Sequence, residues 1–192
     1  MTPDDILALF LRNGGFLEGH FRLSSGLHSP GYLQSALVLQ HPEHAESLGR
    51  AIGERMRSTS PTVVVSPALG GLVIGYEVGR ALGIRAIFAE RLEGKLTMRR
   101  GFTLADRDRA LVVEDVFTTG GSTRETMDVV RAAGGQVVGA AAIVDRSGGA
   151  VSFDVPSQAL LGLSLPLYQA DACPLCAQGV PVTKPGSRPT HT

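Results

Sequence analysis

Two adjacent carboxylates, Glu114 and Asp115, are followed closely by a run of hydroxyl and glycine residues, Thr118-Thr119-Gly120-Gly121-Ser122. The residues before them, Leu111-Val112-Val113, are apolar and mostly β-branched and read as the end of a buried parallel strand. After them, Met127, Val129, Val130 and Ala133 suit an amphipathic helix stopped by Gly134 and Gly135. A strand, a small-residue loop and a helix N-terminus in succession make an anion socket. Backbone N–H groups in a Gly-rich turn, backed by the positive end of a helix dipole, cup a phosphate. The hydroxyls of Thr118, Thr119, Ser122 and Thr123 can add hydrogen bonds to its oxygens. Carboxylates where a strand ends lie at the ligand crevice of an open α/β sheet, where they accept hydrogen bonds from sugar hydroxyls or hold a hard cation such as Mg²⁺. A phosphate cup beside a diol acceptor describes a site for a ribose 5-phosphate group. No Lys follows the glycines and there is no G-x-G-x-x-G, so this is neither a Walker A loop nor a dinucleotide fingerprint.

Other elements must position that loop. Thr2-Pro3-Asp4-Asp5 is a helix start with Thr2 as N-cap, Pro3 at the first turn and acids behind it; Ile6, Leu7, Phe10 and Leu11 form its apolar stripe, and Gly14-Gly15 end it. Residues 16–40 alternate short apolar pieces with Gly, Ser and Pro, the pattern of short strands and turns forming a lobe over the ligand edge. His41-Pro42 opens a helix with Leu48, Ile52 and Met56 at a spacing of four. Thr62–Ser66 is a strand, and Pro67-Ala68-Leu69-Gly70-Gly71 is a second glycine turn leading into a helix to about Leu82. That turn's amides can bind a second anion. Arg85–Glu90 is the next strand.

Residues 91–109 show no good helix or strand period. They hold Arg91, Lys95, Arg99 and Arg100, which suits a charged lid over an anionic ligand. Sixteen of the 18 basic residues are Arg, and seven of the 18 lie between Arg85 and Arg109. Further on, a buried strand ends at Asp145-Arg146, and an Arg at a strand's carboxyl end pairs bidentately with a carboxylated ligand. Leu160–Leu165 is a possible last strand. A single Cys173-Pro174-Leu175-Cys176 follows, which supplies only two of the four ligands of a structural zinc; inert thiols, a metal shared with another group or subunit, and a redox pair all remain open. The Pro/Gly/Thr-rich end reads as loose.

At 192 residues one domain is expected, residues 1–192, with a core of about 41–165. Eighteen basic against 18 acidic residues give no overall pull toward nucleic acid or membrane. No apolar run approaches a spanning helix, no signal segment opens the chain, and two cysteines are no disulfide framework, so a cytoplasmic location is expected.

The stretch Leu111–Ser122 resembles the phosphoribosyl-diphosphate signature of type I phosphoribosyltransferases. HFRLSSGLHSPGYLQ resembles the hood of the orotate branch, and Glu90-Arg91-x-x-Gly94-Lys95 with Arg99-Arg100-Gly101-Phe102 resembles its mobile catalytic loop. The resemblance covers roughly residues 16–150. It implies an α/β fold with a mostly parallel five-stranded sheet flanked by helices and an N-terminal hood made of residues 1–40 and part of the C-terminal tail. It also implies transfer of the 5-phosphoribosyl group from phosphoribosyl diphosphate to orotate, in pyrimidine biosynthesis, by a homodimer with shared active sites. Mg²⁺ is held mainly through substrate, with no certain protein ligand.

On the same resemblance, Glu114, Asp115, Val116, Phe117, Thr118, Thr119, Gly120, Gly121 and Ser122 hold phosphoribosyl diphosphate. Ala68, Leu69, Gly70 and Arg91 contact its diphosphate, and Lys95, Asp115 and Glu114 are catalytic. Arg146, Thr118 and Tyr32 bind orotate. Many relatives carry a lysine where Ser24 stands, and a Lys and a His where the loop here has Leu92 and Thr97; whether Arg99 or Arg100 replaces those loop residues is left open by the sequence. Another nucleobase as acceptor, and a non-catalytic regulator that senses phosphoribosyl diphosphate, are the alternatives.

Overall fold

The computed structural model describes residues 1–23 and 25–185; Ser24 and the Pro/Gly/Thr-rich end at 186–192 lie outside the described residues. Helix α1 spans Pro3–Arg12, and a reciprocal capping box opens it: Thr2 Oγ1 accepts from the Asp5 amide at 3.2 Å and the Asp5 carboxylate accepts from the Thr2 amide at 2.8 Å. Its buried residues are Ile6, Leu9 and Phe10, an i, i+3, i+4 set. Leu11, expected in the stripe, is 54% exposed, because a helix entered at Pro3 turns that position away from the sheet.

Strands β1 (Phe16–Arg22) and β2 (His28–Leu33) form a separate antiparallel pair. A short helix α2 (Ser35–Leu39) follows, where the sequence pattern suggests only strand and turn; burial of Val38 and Leu39 sets its conformation. Helix α3 (Pro42–Met56) buries Leu48, Ile52 and Met56 as expected. Strand β3 (Val63–Pro67), helix α4 (Gly71–Leu82), strand β4 (Arg85–Leu92), strand β5 (Lys95–Met98), strand β6 (Arg109–Phe117), helix α5 (Gly121–Ala132), strand β7 (Gln136–Asp145) and strand β8 (Ser157–Gly162) complete the main layers, and a one-turn helix α6 (Pro174–Ala177) lies in the tail.

The main sheet has the order β5-β4-β3-β6-β7-β8. The five expected parallel strands are present, and antiparallel β5 adds a sixth at the edge. Alternation along each strand divides the core. Val64, Leu111, Val113, Ala141 and Ile143 face a layer built from α1 to α4. Val63, Val65, Ala110, Val112, Ala140 and Ala142 face α5, with Met127 and Val130 opposite them. Among the described residues no helix is long and apolar enough to cross a membrane.

The segment expected to be a lid without strands is partly a hairpin. Leu92 pairs with Lys95 across a two-residue turn at Glu93-Gly94, whose φ values of +50° and +85° match the left-handed turns that tight hairpins favour. The remainder is tied down. Phe102 and Leu104 pack on the α5 side, and Asp108 accepts from the Ala105 amide at 2.8 Å while pairing with Arg85 at 2.6 Å.

Close approach of α3 to α4 fixes the layer behind the site. A Cβ on Gly49 would lie 2.5 Å from Glu77 Cβ and 2.7 Å from its backbone carbonyl carbon. The obstruction is backbone, so it cannot rotate aside. Gly49→Ala should therefore destabilise the fold by about 1–3 kcal/mol despite alanine's better helix propensity. Urea denaturation measures this, and an unchanged or raised midpoint would show that the two helices can separate freely.

Candidate active site

Strands β3 and β6 lie side by side and parallel, and the carboxyl end of β6 opens on a crevice of about 460 Å³, whose lining includes neither β3 nor Ala68, Leu69 and Gly70 of the turn after it. From β3 the chain goes outward to β4 and then returns across β3 to β6. The connections therefore diverge between these two strands: α4 packs on one face of the sheet and α5 on the other. A crevice at such a switch point is the ordinary ligand site of an open parallel sheet.

Strand β6 does not end before the carboxylates; it runs through them to Phe117. Alternation then sends the two acids to opposite faces. Glu114 follows Val112 toward α5, where the Thr123 hydroxyl donates to it. Asp115 follows Val113 toward α4 and lies under Gly70, where a Cβ would come within 2.6 Å of its Oδ1. Each carboxylate thus belongs to one of the two glycine turns. Burial is the first cause of the perturbation at both. It pushes Glu114 up to about 7 against the Thr123 hydrogen bond, with Asp115 adding to the rise. It raises Asp115 as well, with the Ser35 hydroxyl opposing.

Helices α4 and α5 begin at glycines and neither has a side-chain cap, in contrast to α1. Their first-turn amides are left for a ligand. Ahead of α4, Leu69 is 74% exposed, and the Ala68 amide is already spent on the Ala89 carbonyl at 2.7 Å, so only the later part of that turn has free donors. Ahead of α5, Gly120 has φ +73° and is enclosed by Val151 and Phe153, while Gly121 is exposed as the helix's first residue.

Of the residues singled out from sequence, Tyr32, Arg91, Glu114, Asp115, Val116, Thr118, Thr119, Ser122 and Arg146 line the crevice together. Phe117 does not. Its ring packs on Phe153 at 5.1 Å between centroids and its carbonyl accepts from the Arg146 amide at 3.0 Å, because an apolar ring at the strand's end is drawn into the α5 core layer. Lys95 is exposed at the hairpin tip and outside the crevice lining. Arg91 is clamped by Glu125, with N···O distances of 2.9 and 3.3 Å, and also donates to the Gly94 carbonyl. Arg99 and Arg100 both pair with Glu90, away from the crevice lining.

Arg146 is 6% exposed. It donates to Ser29 Oγ at 3.2 Å, and among the described residues no carboxylate lies within ion-pair distance of it. The neighbouring Asp145 carboxylate instead accepts from the Ser147 amide at 2.8 Å. Burial lowers the Arg146 pKa, with the Tyr32 hydroxyl facing it. Sequence reading missed Ser29 and Glu125, which contact Arg146 and Arg91, and also Leu23, Ser25, Leu27, Leu33 and Leu167, which complete the lining. Ser29 carried a signal in the Ser-Pro run of the hood; Glu125 carried none, since a helical Glu reads as solvent-facing.

Residues 35–154 match the phosphoribosyl transferase domain family. The orotate phosphoribosyltransferase of Pelotomaculum thermopropionicum is 53% identical over 98% of this chain and 99% of its own length. The crystal structure of Mycobacterium tuberculosis orotate phosphoribosyltransferase in complex with Fe(III) dicitrate superposes with a TM-score of 0.70 at 28% identity, covering 84% of this chain and 97% of that one. The same bacterial enzyme in complex with 5-phospho-α-D-ribosyl 1-diphosphate gives a TM-score of 0.64 at 24% identity, covering 85% and 91%, which speaks for the fold alone.

The raised pKa of Glu114 makes stability depend on pH. The folded state holds this proton up to about pH 7 while an unfolded Glu releases it near 4.5. Between those values the folded state binds more protons, so the contribution is complete below pH 4.5, falls as pH rises, and is lost above 7. The span corresponds to roughly 3 kcal/mol at most. Glu114→Gln should match wild type in urea denaturation near pH 4.5 and exceed it at pH 8. Equal stability at both pH values would mean that the ionised carboxylate is well solvated in the fold.

Proposed function

The chain belongs to the orotate phosphoribosyltransferase family, and from that premise we propose that its crevice transfers the 5-phosphoribosyl group of phosphoribosyl diphosphate to N1 of orotate, in pyrimidine biosynthesis. The bond from ribose C1 to the diphosphate oxygen breaks, a bond from C1 to orotate N1 forms, and diphosphate leaves. The observation that carries this reading is Arg146: a buried guanidinium facing the crevice with no carboxylate partner of its own among the described residues. An unpaired charge at such a site is expensive, and a carboxylated acceptor supplies the missing anion with bidentate geometry.

The other roles follow from position. The uncapped N-terminus of α5, with Gly120, Gly121 and the Thr118, Thr119 and Ser122 hydroxyls, takes the 5-phosphate. Glu114 and Asp115 accept from the ribose hydroxyls, one from each side of β6. The Ala68-Leu69-Gly70 turn and Arg91 take the diphosphate. Tyr32 packs on the pyrimidine and Thr118 contacts it, while Val116, in the crevice lining, borders the phosphoribosyl diphosphate. The hairpin β1–β2, within residues 1–40, and the tail that carries Leu167 act as a hood that excludes water, a competing nucleophile.

Two carboxylates fall short of a protein-built octahedral cage. They fit a Mg²⁺ that would arrive mainly with the substrate and that Glu114 and Asp115 would help to hold. Bound in that way, the ion supplies Lewis-acid polarisation of the leaving diphosphate. A cytoplasmic location accords with this substrate pair.

Lys95 points to an assembly. Exposed on its hairpin and outside its own crevice, it suits a catalytic role in a two-fold dimer, where Lys95 of the partner subunit reaches the diphosphate.

The direct test is turnover of orotate with phosphoribosyl diphosphate, with and without Mg²⁺, against a panel of other nucleobases. Arg146→Ala should raise the KM for orotate far more than that for phosphoribosyl diphosphate, by about 1.5–3 kcal/mol. Equal effects on the two substrates would make Arg146 a structural residue. For the shared site, Lys95→Ala and Asp115→Ala subunits, each nearly inactive, are mixed under exchange conditions. About half the dimers are then mixed, each with one intact site, so activity should return to roughly a quarter of wild type. No recovery after subunit exchange confirmed by mass spectrometry would place the Lys95 function within one subunit.

A further inference from the structure

We propose that this chain carries a structural zinc site, built from His20, His28, Cys173 and Cys176, that clasps the C-terminal tail to the β1–β2 hairpin. The four donor atoms come from three places in the fold: β1, β2, and the C-x-x-C turn at the start of α6. They all lie within 4.8 Å of one another. His20 Nε2 is 2.8 Å from His28 Nδ1 and 3.5 and 3.8 Å from the two sulfurs, and the Cys176 sulfur is 3.4 Å from His28 Nδ1. A tetrahedral Zn²⁺ with metal–sulfur bonds of ~2.3 Å and metal–nitrogen bonds of ~2.0–2.1 Å has donor–donor edges of roughly 3.3–3.8 Å. Three of the four nitrogen–sulfur edges already have about that length; the two imidazoles need to part by about half an ångström, and the remaining donor pairs, within 4.8 Å, need to draw in.

The surroundings prepare the donors. His20 Nδ1 lies 2.7 Å from the Val180 carbonyl, which can only accept, so Nδ1 carries the proton and Nε2 turns a lone pair toward the sulfurs. His20, His28 and Cys173 are buried, whereas Cys176 is exposed and leaves an entry path. Two thiols and two imidazoles select zinc over oxygen-seeking cations, and four protein ligands leave no open position for catalysis.

The location gives the metal a use. An isolated two-stranded hairpin is marginal in water, and beyond β8 the helical structure among the described residues is one turn of 3₁₀-helix and the one-turn α6. Backbone bonds hold the two together at Tyr168–His28 and at Thr183 with His20 and Arg22. Zinc would lock them, and with them Tyr32 on the hairpin and Leu167 on the tail, which line the crevice, and Ser29, which accepts from Arg146.

The test uses the full chain, expressed with zinc and purified under reducing conditions. Elemental analysis should find one zinc per chain, and Co²⁺ exchange should give thiolate charge-transfer bands with the intense visible bands of a tetrahedral ion. Cys176→Ser, a change at an exposed position, should lose most of the metal while still folding. Chelation of wild-type protein should lower the melting temperature and speed protease cleavage beyond Gly162 by at least about tenfold. Three results would each overturn the assignment: no zinc with an octahedral cobalt spectrum, full zinc occupancy in Cys176→Ser, or a Cys173–Cys176 disulfide in place of the metal.

Discussion

The parallel pairing of β3 with β6, from Val63 opposite Ala110 to Val65 opposite Val112, is the constraint on which the site depends. It sets two glycine turns side by side at one end of the sheet, and with them two helix N-termini that no side chain caps. Because the chain reverses its direction of travel across the sheet at this pair, α4 and α5 leave on opposite faces. A gap then remains between them that neither helix can fill. The alternation of β6 completes the arrangement by giving one carboxylate to each face. Adjacent in sequence, Glu114 and Asp115 serve two different turns.

The groups around this gap are held in electrostatically unfinished states. Arg146 is buried with a serine hydroxyl as its one polar side-chain partner among the described residues. Glu114 and Asp115 are buried far enough for their pKa values to rise. The uncapped helices present unused donors. Each of these costs free energy in the ligand-free fold, and each is of the kind that a bound anion or diol relieves. The outer cations are different. Arg91, Arg99 and Arg100 pair with Glu125 and Glu90 at the surface, where solvent screening leaves such contacts little net stabilisation. A polyanionic ligand competes with them at little cost. The interior of the site is therefore set before binding, while the charged rim can be rearranged by it.

Much of this was legible in the chain because it is local. The order strand, glycine turn, helix is written twice, at 62–82 and 111–133. Its meaning depends on hydrophobic period and turn chemistry, which act over a few residues. The N-cap at Thr2, the Leu48, Ile52 and Met56 stripe, and the crevice positions of Thr118, Thr119, Ser122 and Arg146 were readable for the same reason. The sequence by itself determined the elements and the chemical character of the loop between them.

Only the tertiary structure decided what comes together across the chain. The charged stretch after Arg91 shows no clear period, yet its first part becomes a strand because the open edge of β4 offers it a partner. Phe117 belongs by position to the phosphate loop, but the presence of Phe153 turns it into core. Ser29 meets Arg146 across 117 positions, and His20 meets Cys173 across 153. A lone C-x-x-C is only half a metal site, and the sequence gives no sign that two histidines of an N-terminal hairpin face it. Such pairings follow from how packed layers close on one another, and that closure is a property of the whole sheet rather than of any window along it.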